Sequence, residues 1–274
     1  MGKMKISIVL ILQLCLFIPL IVCGQKPQLF LLAGQSNAVG QGDSTKSLQC
    51  LPNTAYEFDA SANDFIPLKD PVGKAWKLFN RAGTGSVAPA FAKRLNEISS
   101  HPVYMVTAAR GGASCHKKAE MSNYDTWDSS GKLFDMAVEK AKMAETKLQT
   151  KLKGILWMQG ERDANAILAG QLTALEYQSA LEDIIIRFRE KFGKRLPIYI
   201  VETAYQQDKA PAGCEAVRNA QVSVSKKMKR VYIAYAETGE FAKRRWFKDI
   251  VHYNQEALND IGIKTAEFIY KNEK

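Results

Sequence analysis

The feature that most constrains the fold is a set of short apolar runs that alternate with longer stretches of helical periodicity. The runs are rich in Val, Ile, Leu and Tyr and lack polar alternation, which is typical of strands buried on both faces of a sheet. They are Gln28 to Ala33, Pro102 to Ala108, Lys153 to Met158, Pro197 to Val201, and Val231 to Tyr235. The sequence therefore predicts five buried strands.

Between these runs, apolar residues recur at the spacing of one helix face. Examples are Leu181, Ile184, Ile185, Phe188 and Phe192; Leu133, Ala137, Lys140, Ala141, Ala144 and Leu148; and the final Leu258, Ile261, Thr265 and Ile269. Because each pair of parallel strands needs a crossover, strands alternating with helices predict a mostly parallel five-stranded sheet with helices on both faces. The expected architecture is a three-layer α/β/α sandwich forming one domain over residues 25–274.

The N-terminus has the composition of a secretory signal peptide, predicted over residues 1–24. Two lysines precede an apolar run from Ile6 to Val22, and Val22 and Gly24 suit cleavage before Gln25. A membrane anchor is the alternative, although the run is short for a bilayer span. Lipidation at Cys23 is a second alternative, disfavoured by the bulky Val22. Cleavage predicts an exported protein, secreted or periplasmic, with no stable membrane span.

Cysteine and histidine usage argues against a metal-based or disulfide-based scaffold. Signal cleavage would leave Cys50, Cys115 and Cys214, which allow one disulfide and one leftover thiol in an oxidising compartment. No spacing of Cys and His resembles a zinc site, and we expect no bound metal.

The chain is basic, with a formal charge of +10, or +8 without the two N-terminal lysines. Lysines and arginines concentrate at 226–230 and at 243–245. They fit solvated helix ends and loops, or contacts with acidic glycans. No aromatic interleaving or nucleic-acid motif accompanies them, so we expect no nucleic-acid partner.

A serine flanked by glycines follows the first predicted strand, within Gly34 to Gly40. Ser36 is then expected at the rim of the sheet, where its hydroxyl can face a substrate and its N–H an oxyanion. The alternative is a turn in which Ser36 and Asn37 cap the next helix. The nucleophile-elbow pattern G-x-S-x-G is absent, which argues against the α/β-hydrolase fold.

Two more polar clusters follow the second and third predicted strands. Paired glycines after Arg110 allow close backbone approach, which makes the Gly112 N–H a candidate oxyanion donor. In the segment WMQGERD at 157–163, the Gln159 amide can donate a hydrogen bond. Glu161 can orient an imidazole or simply pair with a neighbouring arginine.

The fourth cluster precedes the final helix and contains Asp249 and His252. Their spacing can bring a carboxylate and an imidazole into one cleft, the imidazole taking the serine proton and the carboxylate fixing its tautomer. A helix-capping or surface role for His252 is the alternative. His101 is expected at the surface, whereas His116 is placed to line the cleft. The polar segment from Gly40 to about Gly85 is a candidate wall of that cleft.

Together the four clusters resemble the SGNH (GDSL-like) hydrolase superfamily, and within it the carbohydrate esterases that include acetylxylan esterases and sialate O-acetylesterases. The resemblance spans nearly all of the chain after the signal and is carried by GQSNAVG at 34–40, ARGGAS at 109–114, WMQGERD at 157–163 and DIVHYN at 249–254. It implies a flavodoxin-like sandwich.

The resemblance also implies residue roles: Ser36 as nucleophile, His252 as base with Asp249 as its partner, and an oxyanion hole from Ser36, Gly112 and Gln159. In some members the glutamate at the position of Glu161 orients the histidine, so both carboxylates stay candidates. The cleft is expected to include Gln35, Asn37, Arg110 and Arg162.

Three positions depart from the common pattern. Gln159 stands where lipolytic relatives usually carry Asn, which favours the carbohydrate branch. Arg162 replaces a usually small residue and puts substrate specificity in doubt, and Ile250 replaces a frequent glycine.

The expected activity is removal of O-acetyl groups from a carbohydrate through an acyl-enzyme, without metal or organic cofactor. An esterase acting on lipids or thioesters, and a non-catalytic carbohydrate-binding relative, are the alternatives. The sequence fixes neither the sugar nor the oligomeric state.

Overall fold

The computed structural model describes residues 26–273. The predicted signal peptide and its cleavage site lie outside the described residues. Within residues 26–273, none of the helices combines the length and the apolar character needed to cross a membrane.

A seven-stranded sheet runs through the molecule in the order β3-β2-β4-β1-β5-β6-β7. All neighbouring strands are parallel except β2 and β3, which form an antiparallel hairpin. The mostly parallel α/β fold is confirmed, but the expected count of five strands was wrong. The strands are β1 (Gln28–Gly34), β2 (Ala55–Asp59), β3 (Asp64–Pro67), β4 (Val103–Ala109), β5 (Leu152–Met158), β6 (Ile198–Val201) and β7 (Val231–Tyr235).

The two additional strands form a hairpin inside the polar segment that was expected to wall the cleft. Both are short, and β3 has exposed ends, so neither has the continuous apolar run that identified the other strands. The hairpin extends the sheet beyond β4, where Tyr56 stacks on Tyr104 with ring centroids 4.8 Å apart. The hairpin in this segment therefore completes the sheet, and Gln41, near the start of the segment, lines the candidate site.

Helices cover both faces of the sheet and produce the predicted three layers. On one face, α2 and α8 enclose a core that contains Phe30 and Phe91. On the other, α3, α5 and α6 enclose a core that contains Ile155 and Phe188. The helices are α1 (Ser36–Val39), α2 (Ala88–Ser99), α3 (Leu133–Leu148), α4 (Glu161–Leu168), α5 (Ala174–Phe192), α6 (Ala212–Lys227), α7 (Phe241–Arg244) and α8 (Gln255–Asn272).

The order of the strands determines where the candidate site lies, because β1 is between β4 and β5. The connections after neighbouring strands run in opposite directions at this point, which opens a crevice at the carboxyl ends of the strands. Gly34 ends β1 with φ of +143°, and a Cβ there would lie 1.9 Å from the Met158 carbonyl oxygen. Only glycine therefore lets the chain turn this close to β5 and begin α1 at Ser36.

The three described cysteines, Cys50, Cys115 and Cys214, are unpaired. The one disulfide that their number would allow is not formed in this structure. Cys115 and Cys214 are buried in the same apolar core without bonding to each other.

Candidate active site

Ser36 and His252 lie 216 positions apart in the sequence and line the same cavity, of about 510 Å³. Ser36 is the first residue of α1 and is 8% exposed. The volume lies within the usual range for small-molecule sites. The lining comes from the loops after β1, β4 and β5 and from the loop before α8: Gln35, Ser36, Gln41, Gly111, Gly112, Met121, Tyr124, Glu161, Arg162, Asn165, Val251 and His252.

Asp249 is the carboxylate that contacts the imidazole of His252. Its Oδ2 lies 2.7 Å from His252 Nδ1, and its Oδ1 accepts hydrogen bonds from the N–H groups of Val251 and His252 at 2.9 and 2.8 Å. Partial burial raises the pKa of Asp249, but these hydrogen bonds outweigh it and hold the pKa below its usual value. An ionised Asp249 keeps the proton on Nδ1 and leaves Nε2 as the basic nitrogen.

Glu161 is buried beside the cavity and bonds to other groups. Its Oε1 accepts from Asn37 Nδ2 at 2.6 Å and from the Tyr253 hydroxyl at 3.2 Å. Its Oε2 is buried and has no hydrogen-bond partner among the described residues. Burial raises the pKa of Glu161 in spite of these two hydrogen bonds. Of the two candidate carboxylates, Asp249 is therefore the one placed to orient the imidazole of His252.

Ser36 and Gly112, whose backbone N–H groups are the predicted oxyanion donors, both line the cavity. Gly112 has φ of +74°, a conformation that favours glycine, and Gly111 is held by its N–H donating to Asn80 Oδ1 at 2.9 Å. Among the hydrogen bonds of the described residues, neither the Ser36 nor the Gly112 N–H has an acceptor. Two unpaired donors at one cavity are suited to a developing negative oxygen.

Gln159, the third predicted oxyanion donor, is not part of the cavity lining in this structure. The residue is 1% exposed, and its amide Nε2 donates to the Asp163 carboxylate and to the Ala113 carbonyl at 3.3 Å. Residue 159 follows β5 directly, where the chain directs the side chain into the protein beneath the glycine loop. Gln159 therefore supports the loop that carries Gly112.

Two of the four predicted cleft residues line the cavity, and two lie behind it. Gln35 and Arg162 are part of the lining. Asn37 is buried, donating to Glu161 and to the Val251 carbonyl at 3.2 Å while its Oδ1 accepts from the Tyr253 N–H at 3.1 Å. It thus ties the serine turn to the loop that carries His252.

Arg110 is the second predicted cleft residue that lies outside the lining. Its guanidinium donates to the carbonyls of Leu78 and Asn123 at 3.2 and 3.0 Å. Arg110 therefore links the loop at Leu78 to the loop at Asn123, and it is not part of the cavity lining.

Asp163 is a structural anchor that the sequence reasoning left without a role. Its carboxylate is fully buried and accepts from the N–H groups of Cys115 and His116 at 2.8 and 3.0 Å. Burial raises the pKa of Asp163 to about 6, against the effect of these hydrogen bonds.

The remaining histidines lie away from Ser36. His116 lines a separate cavity of about 350 Å³ with Asp128 and Glu176, so the expectation that it lines the serine cleft was wrong. His101 is half-buried at the entry to β4. Over residues 26–273, no cluster of His, Cys, Asp and Glu has the arrangement to hold a metal ion.

Comparison with known proteins identifies the family. The profile of carbohydrate esterase, sialic acid-specific acetylesterase, matches residues 26–271, and the chain belongs to this family. The resemblance to SGNH-type carbohydrate esterases is thereby confirmed. No sequence among the curated proteins matches this chain.

Solved structures with the same fold include two that the chain covers almost completely. A protein from Arabidopsis thaliana has a TM-score of 0.68 and 20% identity over 90% of this chain and 99% of that one. NanS has a TM-score of 0.64 and 17% identity over 92% and 99%. A carbohydrate acetylesterase from Xanthomonas citri has a TM-score of 0.50 and 17% identity, over 89% of this chain and 56% of that one.

Proposed function

We propose that this carbohydrate esterase removes O-acetyl groups by serine catalysis, with Ser36 as nucleophile and His252 as base. The observation that carries the proposal is the shared cavity of Ser36 and His252, with Asp249 2.7 Å from His252 Nδ1. Membership of the sialic acid-specific acetylesterase family supports an acetylated carbohydrate as the substrate class.

The proposed reaction is a two-step acyl transfer. His252 Nε2 takes the proton of the Ser36 hydroxyl as Ser36 Oγ attacks the acetyl carbonyl, and Asp249 stabilises the resulting imidazolium. The N–H groups of Ser36 and Gly112 donate to the negative oxygen of the tetrahedral intermediate. His252 then protonates the leaving sugar oxygen, and water releases acetate from the acyl-enzyme by the same steps.

Arg162 favours an acidic sugar, such as a sialic acid, over neutral acetylated xylan. Its Nε donates to the Ala119 carbonyl at 2.6 Å, whereas its two terminal nitrogens have no acceptor among the described residues. A guanidinium that lines the cavity with free donors suits a carboxylate.

We also propose that the protein is exported through its predicted signal peptide.

The test is acetate release by the purified mature protein from O-acetylated sialic acid and from acetylated xylan. Ser36→Ala should lose at least about 10³-fold in kcat, and a fluorophosphonate should label the wild-type protein but not this variant. Arg162→Leu should lower kcat/KM for the acidic sugar and leave the neutral one nearly unchanged. Wild-type activity in Ser36→Ala would refute serine catalysis, and equal losses on both sugars in Arg162→Leu would refute only the preference.

Activity on longer acyl chains would separate this proposal from an esterase of lipids or thioesters. A carbohydrate deacetylase should lose activity steeply when the acetyl group is replaced by butyrate or octanoate. Retained activity on octanoate esters would contradict deacetylation as the main reaction.

A further inference from the structure

One segment of the cavity wall has no part in the proposed acyl transfer: the loop from residue 117 to residue 124, between β4 and α3. It consists of two short 3-10 turns. Both ends are fixed by arginines, since Arg162 Nε donates to the Ala119 carbonyl and Arg110 donates to the Asn123 carbonyl. The loop is therefore held in a defined position over the glycine turn that carries Gly112.

Tyr124, the last residue of this segment, packs its ring directly on Gly112. A Cβ built on Gly112 would lie 2.8 to 3.2 Å from Cγ, Cδ1 and Cδ2 of that ring. The aromatic ring thus packs against Gly112, whose backbone N–H is a proposed oxyanion donor. A group bound against Tyr124 would be a near neighbour of the ester under attack.

Tyr124 and Met121 are also large apolar side chains that stay open to solvent. They are 39% and 41% exposed, and both line the cavity that contains Ser36. Exposed apolar and aromatic side chains that line a cavity are common in ligand sites. The acetyl group, with one methyl, is too small to account for two such side chains at an open rim.

We propose that Tyr124, with Met121 beside it, forms the platform on which the sugar ring of the substrate packs its C–H face. This proposal rests on the proposed deacetylase function and makes Tyr124 a specificity-determining residue. A pyranose has an apolar face and a polar edge, and a rigid aromatic ring buries that face at little cost in side-chain entropy. With the sugar on Tyr124, its acetyl group can extend toward Ser36 and Gly112.

The test compares an acetylated monosaccharide with ethyl acetate, which has the same acyl group and no ring. Tyr124→Ala should raise KM for the acetylated sugar about tenfold, and its loss of kcat/KM should be at least about fivefold smaller for ethyl acetate than for the sugar. Tyr124→Phe should behave as wild type on both substrates, because the platform needs the ring and not the hydroxyl. Met121→Ala should shift KM for the sugar in the same direction by a smaller factor.

Leu175→Ala is the matched control, because Leu175 is 74% exposed and lines the separate cavity next to His116. Thermal unfolding of each variant checks that it folds. If Tyr124→Ala does not fold, the KM of Met121→Ala for the sugar still tests the proposal. An equal loss on sugar and ethyl acetate would overturn the proposal, since Tyr124 would then act only by holding Gly112. An unchanged KM for the sugar would overturn it as well. A wild-type protein that cleaves neither ester would instead refute the deacetylase function.

Discussion

The role of Asp249 gives the sharpest test of the proposed mechanism, through the substitution Asp249→Asn. In the wild-type protein, Oδ2 of Asp249 contacts His252 Nδ1 while Oδ1 accepts two backbone N–H groups. An asparagine keeps one oxygen for the backbone and turns its amide nitrogen toward Nδ1. That N–H favours the tautomer with the proton on Nε2, which cannot accept the proton of Ser36.

The magnitude follows from the exposure of the pair. The side chains of Asp249 and His252 are 44% and 26% exposed, so solvent screens the attraction between carboxylate and imidazolium. Charges about 4 Å apart interact by about 1 kcal/mol in water and about 4 kcal/mol near a protein surface. Loss of this attraction corresponds to a fall in kcat between about fivefold and about 10³-fold. The tautomer effect adds to it, so we expect a fall of at least about 10²-fold.

The assay is steady-state hydrolysis of p-nitrophenyl acetate and of an acetylated sugar. Asp249→Asn should lower kcat with little change in KM, because Asp249 does not line the cavity. Glu161→Gln should cost much less, since the amide oxygen can still accept from Asn37 and Tyr253. Asp64→Asn, on the exposed β3, is the surface control. A larger loss in Glu161→Gln than in Asp249→Asn would refute this assignment.

Two further substitutions test the glycine turn and its anchor. Gly112→Ala should lower kcat on the order of 10²-fold or more, because its φ is +74° and the new Cβ would meet Tyr124, which displaces the backbone N–H; normal activity would contradict the inference that catalysis depends on the geometry of this turn. Asp163→Asn should change how stability depends on pH. The pKa of Asp163 rises from 3.8 in the unfolded chain to about 6 in the fold, so its contribution to stability is present at low pH and is lost as the pH rises through that range. The stability of wild type relative to Asp163→Asn, measured by urea unfolding, should therefore fall from about pH 4 to about pH 6 by up to about 1.4 kcal/mol per pH unit. A difference that does not vary with pH would contradict this.

The segments that contribute residues to the site could be predicted, because local sequence patterns mark the strands and the polar groups that follow them. Buried parallel strands have continuous apolar runs, and polar groups directly after them must lie at one edge of the sheet. Ser36, Gly112 and His252 could be named from this rule together with the family motifs. The hairpin of β2 and β3 could not, because short half-exposed strands have no distinctive pattern and form through pairing with β4.

Side-chain direction depended on the tertiary structure. Gln159 and Arg110 stand at the predicted strand ends, yet their polar atoms bond to Asp163, Ala113 and loop carbonyls instead of facing the cavity. A buried amide or guanidinium bonds to whichever partner the packed loops bring near, and those partners come from distant positions.

The sequence by itself therefore determined the layered α/β fold, the edge of the sheet that carries the site, and the residue types found there. Only the tertiary structure decided that Asp249, and not Glu161, contacts His252, and that Tyr124 covers Gly112. The physical reason is the separation along the sequence over which each effect acts. Hydrophobic periodicity is a pattern of a few neighbouring residues, whereas hydrogen-bond partners are fixed by contacts between segments far apart in the chain.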